Sequence, residues 1–301
     1  MTAITTSRDS SLALVTLSYG PDYQRCQLLV ESVGQLSKTP VRHYIIVDQQ
    51  DYSEFKSLAN PSTEILTVES LLPPWIRRFP LMNRAWLSFK TPPIRNWVLQ
   101  QLVKLSFARC APEAITVFVD SDVAFVRPFD LTLWALQDQT RLFRVPEFYS
   151  PDFEPFYGAA YRLLGLEGYH HGVVRPNYIG NLISWRQSNV VALCDRLEQI
   201  GGRPWLETLA RSKTLSEYIL YGVFVDQVLG EAAGHNYDWS PLCHEYWRPQ
   251  PLDDRQLAEF FAAAQPEHIA VMISAKASIV PDRYRSYLKA LWGQVLLESN
   301  P

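Results

Sequence analysis

Ile115 to Asp130 reads ITVFVDSDVAFVRPFD, a greasy run with two acids in its middle. Ile115 to Val119 are apolar or β-branched without interruption, and Val123, Ala124, Phe125 and Val126 follow before Pro128. An unbroken run of this kind marks a strand buried on both faces, as in a parallel sheet. Asp120 and Asp122 therefore sit where a strand leaves the core. In an extended chain residues i and i+2 share a face, so the two carboxylates are expected to point together, with Ser121 turned away. Two like charges that close repel unless one is protonated or a cation lies between them.

The segments before this strand predict an α/β fold. SLALVTLSYG (11–20) reads as a strand entering a Gly-Pro turn, and DYQRCQLLVESVGQL (22–36) as a helix with Cys26, Leu29, Val30 and Val33 on one face. RHYIIVDQQD (42–51) is a second apolar strand ending in acids, Asp48 and Asp51, and TEILTVESLL (63–72) holds a short third. LPPWIRRFP (72–80) leads to an irregular segment through KTPPIR (90–95), after which NWVLQQLVKLSFARC (96–110) predicts a helix. The order β-α-β-β-α-β suggests a largely parallel nucleotide-binding sheet with ligands at the carboxyl ends of its strands. Ser18 to Asp22, Asp48 and the Asp120 to Asp122 tip would then share one crevice.

The second half is less regular. YIGNLISW (178–185) reads as a strand, SNVVALCDRLEQIGG (188–202) as a helix begun by Ser188 and stopped by Gly201, and SEYILYGVFVDQVLG (216–230) as a helix begun by Ser216. HIAVMISAKASI (268–279) predicts a strand and RYRSYLKALWGQVLLES (283–299) a terminal helix. Residues 1–10 are polar and expected to be flexible; 11–301 are expected to form one domain, with 11–130 as its nucleotide-binding half and 131–301 as a less regular second half.

Composition narrows the class. The chain has 301 residues, 47% hydrophobic, enough for a large core, so a soluble globular protein is expected. Its 28 basic and 31 acidic residues form no basic run, which argues against a nucleic-acid surface. No stretch approaches the roughly 20 apolar residues of a membrane span, and the first residues lack a signal-peptide pattern, so a cytoplasmic location is expected with peripheral membrane contact left open. Cys26, Cys110, Cys194 and Cys243 are widely spaced with no CxxC pair, as reduced core thiols would be.

An Asp-x-Asp at a strand end in a nucleotide-binding half suits a hard divalent cation, Mg²⁺ or Mn²⁺, which takes oxygen ligands and bridges to a diphosphate. The plain alternative is a pair of acids solvating a strand-to-loop junction. Gln100 and Lys104 lie four apart, on one helix face, where Lys104 could reach a diphosphate or orient Asp120; an ordinary surface lysine is the other reading. Arg95 is a weaker candidate of the same type. Glu217, at a predicted helix start, is a candidate base for an acceptor hydroxyl or simply a helix-terminal charge, and Asp226 is the reserve base. Ser274 and Lys276, beyond the last strand, could contact a diphosphate. Trp75, Trp86, Trp239 and Trp247 fall in predicted loops, where aromatic faces can stack on sugars, and Asn177, Tyr178 and Asn181 could bond sugar hydroxyls.

The stretch IRNWVLQQLVKLSFARCAPEAITVFVDSDVAFVRPFD resembles the centre of metal-dependent GT-A glycosyltransferases, in which a helix with a basic residue precedes an apolar strand ending in DxD. With NYIGNLISW, SEYILYG and LCHEYW it more closely resembles an uncharacterised bacterial glycosyltransferase-like family associated with surface polysaccharide genes. That resemblance spans about Ser11 to Tyr287. It implies a GT-A mixed sheet flanked by helices, and a hexosyltransferase that moves a sugar from a nucleotide-diphosphate donor to a glycan or glycolipid acceptor with Mn²⁺ or Mg²⁺. It implies that Asp122 binds the metal and that Asp120 faces the ribose, the donor sugar or a metal-bound water. Ser18, Tyr19, Asp22 and Asp48 would line the nucleotide pocket. A late histidine often closes the metal shell in such enzymes, which points to His244, with His235, Asp238 and His268 competing; the HxGxxKPW ending of one branch is absent.

Other classes fit less well. A phosphatase with an aspartyl nucleophile has Thr where this chain has Ala124, and its motif opens the fold. A nucleotidyltransferase needs a Gly-rich loop after the first strand, where LSYGPDYQR has a single glycine. A sugar-binding protein that has lost turnover remains open.

Overall fold

The computed structural model describes residues 11–79, 86–136 and 138–298. The N-terminus expected to be flexible, residues 1–10, lies outside them, as do residues 80–85 of the segment expected to be irregular.

Five of the expected strands form one sheet, while the one expected at 268–279 joins another. Leu12–Leu17 pairs in parallel with Arg42–Val47 on one side and with Ile115–Phe118 on the other, and Arg42–Val47 pairs in parallel with Thr63–Thr67. Ile183–Arg186 closes the other edge, antiparallel to Ile115–Phe118. The apolar runs follow from burial on both faces. Leu12 and Leu14 pack with Leu29 and Val33 of the Tyr23–Leu36 helix, while Ala13 and Val15 pack with Leu102 and Val103 of the Asn96–Cys110 helix. One helix on each face is the layering that a βαβ path enforces. The protein is thus a mixed α/β fold with a parallel-strand sheet flanked by helices, compatible with a Rossmann-like arrangement.

Local details depart from the sequence expectations. The acid-tipped strand stops at Phe118, and Val123 N–H donates to the Asp120 carbonyl at 3.1 Å, so Asp120 to Val123 is a turn. The chain then re-enters a second sheet as Val123–Phe125, antiparallel to Ala270–Ile273, which pairs in parallel with Cys243–Tyr246. Trp86 is fully buried in a short ladder between Ile76–Arg78 and Trp86–Ser88, not in a loop. The Gln187–Gly201 helix has Arg186 at its start, and Gly202, not Gly201, takes the left-handed turn that ends it. Ser216 does start its helix, its hydroxyl accepting from Ile219 N–H, but after Phe224 the helix widens into a π-turn, Val225–Leu229. Among the described residues no helix is long and apolar enough to cross a membrane.

Candidate functional site

A cleft of about 550 Å³ opens at the carboxyl ends of the parallel strands. It lies where the order reverses around the first strand, since the chain continues to Arg42–Val47 on one side and reaches Ile115–Phe118 on the other. Ligands collect at such a switch point because the connections diverge and leave a crevice. Ser18, Tyr19 and Asp22 line it from the first strand, Asp48 from the second, and Asp120, Ser121 and Asp122 from the acid-tipped one. Gln100 and Lys104 line it from the preceding helix. These expected residues are brought together.

The DxD pair is held by its turn. Asp122 accepts from Ala275 N–H at 2.9 Å, and buried Ser121 donates to Asp22 at 3.5 Å, so the central residue serves the site's frame. Asp22 also holds Arg25 at 3.0 Å. Burial, with the Asp120 charge added, pushes the Asp122 carboxyl up to about 7, although the Ala275 N–H opposes it. Burial likewise raises Asp22 above the usual carboxylate range against the pull of Arg25. Asp48 is raised by burial, with Arg78 at 3.4 Å lowering it and Glu69 and Asp51 raising it.

Lys104 is the anchored cation of the inner wall. Its ammonium donates to Glu217 at 2.8 Å and to the Tyr218 hydroxyl at 3.0 Å, and lies 4.4 Å from the Tyr218 ring centre. Burial opposes its charge, but Glu217, Tyr218 and Asp120 override that and raise its pKa. Glu217 does not line the cleft. Its backbone N–H is taken by Gln101 at 3.0 Å and its carboxylate pairs with Lys104, so it positions the lysine.

Several candidates lie elsewhere. His244 is not brought to the acids; it stacks on Phe260 at 4.5 Å and lies 5.3 Å from the His268 ring. Among the described residues no group of three or more His, Cys, Asp or Glu side chains is placed to hold a metal ion. His235 is buried between Tyr221 and the Thr140 carbonyl, His268 accepts from Gln265 N–H, and Asp238 pairs with Arg141. Asp226 is held by Arg144 at 2.9 Å and by Tyr178, which is itself buried. Asn177 caps its own loop through Ile179 N–H. Lys276 is exposed on the turn that follows Ser274, outside the cleft lining, and so is Arg95. Sequence reading missed Arg78, Asp51 and Asn96, all of which line the cleft. Asp51 had the signal of a second acid after the strand, and it accepts from Gly20 N–H at 3.0 Å. Arg78 comes from a Pro-rich stretch with no periodic pattern, which folds as the short strand Ile76–Arg78.

Asp120 and Asp122 are the residues that could hold a divalent cation. Among the described residues Asp22, Asp48, Asp51, Asp120 and Asp122 line the cleft together with two cations, Arg78 and Lys104, so these walls are acidic. A magnesium-type ion is commonly held by one or two carboxylates together with substrate phosphates, and here Asp120 and Asp122 are the pair whose mutual repulsion such an ion relieves.

The chain has no match among curated proteins. Residues 11–292 match the model of a family of unknown function, DUF6492, and the chain therefore belongs to that family.

Proposed function

We propose that the protein is a GT-A-type glycosyltransferase that moves a hexosyl group from a nucleoside-diphosphate sugar to a glycan or glycolipid acceptor. The observation that carries this reading is the Asp120–Asp122 pair at the carboxyl edge of the parallel strands, lining one acidic cleft with an anchored ammonium, Lys104. A diphosphate entering that cleft alone meets mostly like charge. With Mn²⁺ or Mg²⁺ on Asp120 and Asp122 the repulsion is neutralised, and a bound ion of this kind stabilises charge on a leaving diphosphate.

The chain's own residues supply the rest. Lys104 offers N–H donors to a phosphate oxygen, and Glu217 with Tyr218 fixes it so that little reorganisation accompanies charge development. Ser18 and Tyr19 line the mouth for the nucleoside, and Asp48, set by Arg78, faces its polar edge. Gln100, exposed on the same helix face as Lys104, completes that wall.

The test is a thermal-shift screen of nucleoside-diphosphate sugars with and without Mn²⁺, because a ligand that binds the native state raises its apparent stability. A metal-dependent rise for at least one donor, absent in Asp122→Ala, is expected. A rise that is indifferent to metal and to Asp122, or no rise with any donor, sinks the reading.

A further inference from the structure

We infer that Glu245, Asn181 and Trp247 form a carbohydrate subsite beside the acidic cleft, and that Glu245 accepts the proton of the sugar hydroxyl bound there. The inference rests on the transferase reading for its chemistry, though not for its binding. Ile183 pairs with Phe118, so Asn181 and Asp120, each two residues further on, both lie just past the end of one ladder. Leu182 between Asn181 and Ile183 has φ of 60°, a left-handed conformation that a branched, fully buried side chain rarely takes. That turn leads into the strand and is fixed by Trp134, whose indole donates to the Leu182 carbonyl at 3.4 Å. The Asn181 amide donates to Glu245 Oε1 at 2.8 Å.

The second Glu245 oxygen accepts from Trp247 Nε1 at 2.6 Å. Both oxygens are thus held by neutral donors, and among the described residues no ion pair engages this carboxylate. Each carboxylate oxygen has two lone pairs, so each keeps capacity for a further donor. Glu217, by contrast, is ion-paired with an ammonium. Trp247 is 52% exposed and Trp239 63%, in the loops that flank the Cys243–Tyr246 strand. An indole face beside a fixed carboxylate and an amide is the chemistry that recognises a sugar, with its C–H face on the ring and its hydroxyls on the polar groups.

The backbone ties this place to the DxD. Ser274 N–H donates to the Tyr246 carbonyl at 3.0 Å while Ala275 N–H donates to Asp122 at 2.9 Å. The Glu245 strand and the strand that begins at Val123 flank the Ala270–Ile273 strand on opposite sides, roughly 10 Å apart at two strand spacings. In the transfer, the acceptor O–H proton passes to Glu245 and the oxygen bonds to the anomeric carbon. The bond from that carbon to the phosphate oxygen breaks, its electron pair leaving with the nucleoside diphosphate.

Saturation-transfer NMR with the methyl glycosides of glucose, galactose, mannose and N-acetylglucosamine tests the subsite without any nucleotide. The parent is expected to saturate at least one glycoside; Trp247→Ala should abolish that signal and Glu245→Gln should keep it. No signal with the parent, or an unchanged signal in Trp247→Ala, overturns the subsite. On the same preparations Glu245→Gln should keep the donor-induced thermal shift in Mn²⁺ and lower turnover roughly 10²- to 10⁴-fold, and full turnover overturns the proton-acceptor role. If the parent shows sugar saturation but neither donor shift nor product, the subsite stands, and the proton-acceptor role falls together with the transferase reading.

Discussion

Lys104 and Glu217, separated by 113 residues in the chain, meet at 2.8 Å in a buried ion pair, with the Lys104 ammonium turned along the wall of the cleft. Both side chains are largely shielded from water, at 13% and 4% exposure. Desolvating two charges is costly, and geometry this close, with the Tyr218 hydroxyl as an added partner of the ammonium, is what offsets it.

Removing one member of this pair leaves the other charged and buried. We predict that Lys104→Met and Glu217→Leu each destabilise the fold by about 3 to 5 kcal/mol, whereas the double variant recovers most of that loss. Urea denaturation of the four proteins measures the coupling. Additive losses in the double variant would show that the two charges do not depend on each other.

Asp122 gives a pH prediction. Its folded-state carboxyl, pushed up to about 7 by burial and by Asp120, lies above the ordinary value of 3.8. Its contribution to stability is therefore full below about pH 4 and lost as the pH rises to about 7. In chelator, Asp122→Asn is predicted to gain melting temperature on the parent between pH 5 and pH 8, because the amide never ionises. Adding Mn²⁺ at pH 8 should raise the parent and not the variant. Identical pH profiles for the two proteins would falsify the assignment of this titration to Asp122.

Two histidines titrate with the opposite sign. Burial lowers His43 and His235 to about 4 from the ordinary 6.5. Each is neutral in the fold, so the stability tied to it is present above pH 6.5 and lost as the pH falls towards 4, where the unfolded chain takes up protons first. We predict a drop in melting temperature of the parent from pH 7 to pH 4.5 that is smaller in His43→Gln, whatever that variant's starting stability. An equal or larger drop in the variant would remove His43 from the account.

Gly222 has a packing role that its helix position hides. A Cβ there would lie 2.2 Å from the Tyr178 ring, whose hydroxyl is held by Asp226 and which therefore cannot swing aside without breaking that bond. Gly222→Ala is predicted to destabilise by about 1 to 3 kcal/mol, against the small gain that helix propensity alone would give. A variant as stable as the parent in urea would mean that Tyr178 yields freely.

The sequence by itself determined the parallel strands, the two long helices on either side of them and the acids at the strand ends. LALVTL, YIIV and ITVF are unbroken runs of apolar or β-branched residues because both faces of those strands are covered, and that requirement is written residue by residue. Asp48 and Asp120 stand out because they interrupt such runs at the point where the backbone leaves the core. Gln100 and Lys104 were legible for a similar reason, since a spacing of four puts them on one helix face. Only the tertiary structure decided who meets whom. The partnership of Lys104 with Glu217, of Arg78 with Asp48 and of Asn181 with Glu245 joins segments 30 to 113 residues apart. Periodicity reports whether a side chain is buried; it carries nothing about the residue opposite. For the same reason His244 looked like a late ligand and proved to be a ring stacked on Phe260, and the turn at Asp120 to Val123, made by a single backbone hydrogen bond, replaced the straight strand that alternation alone implied.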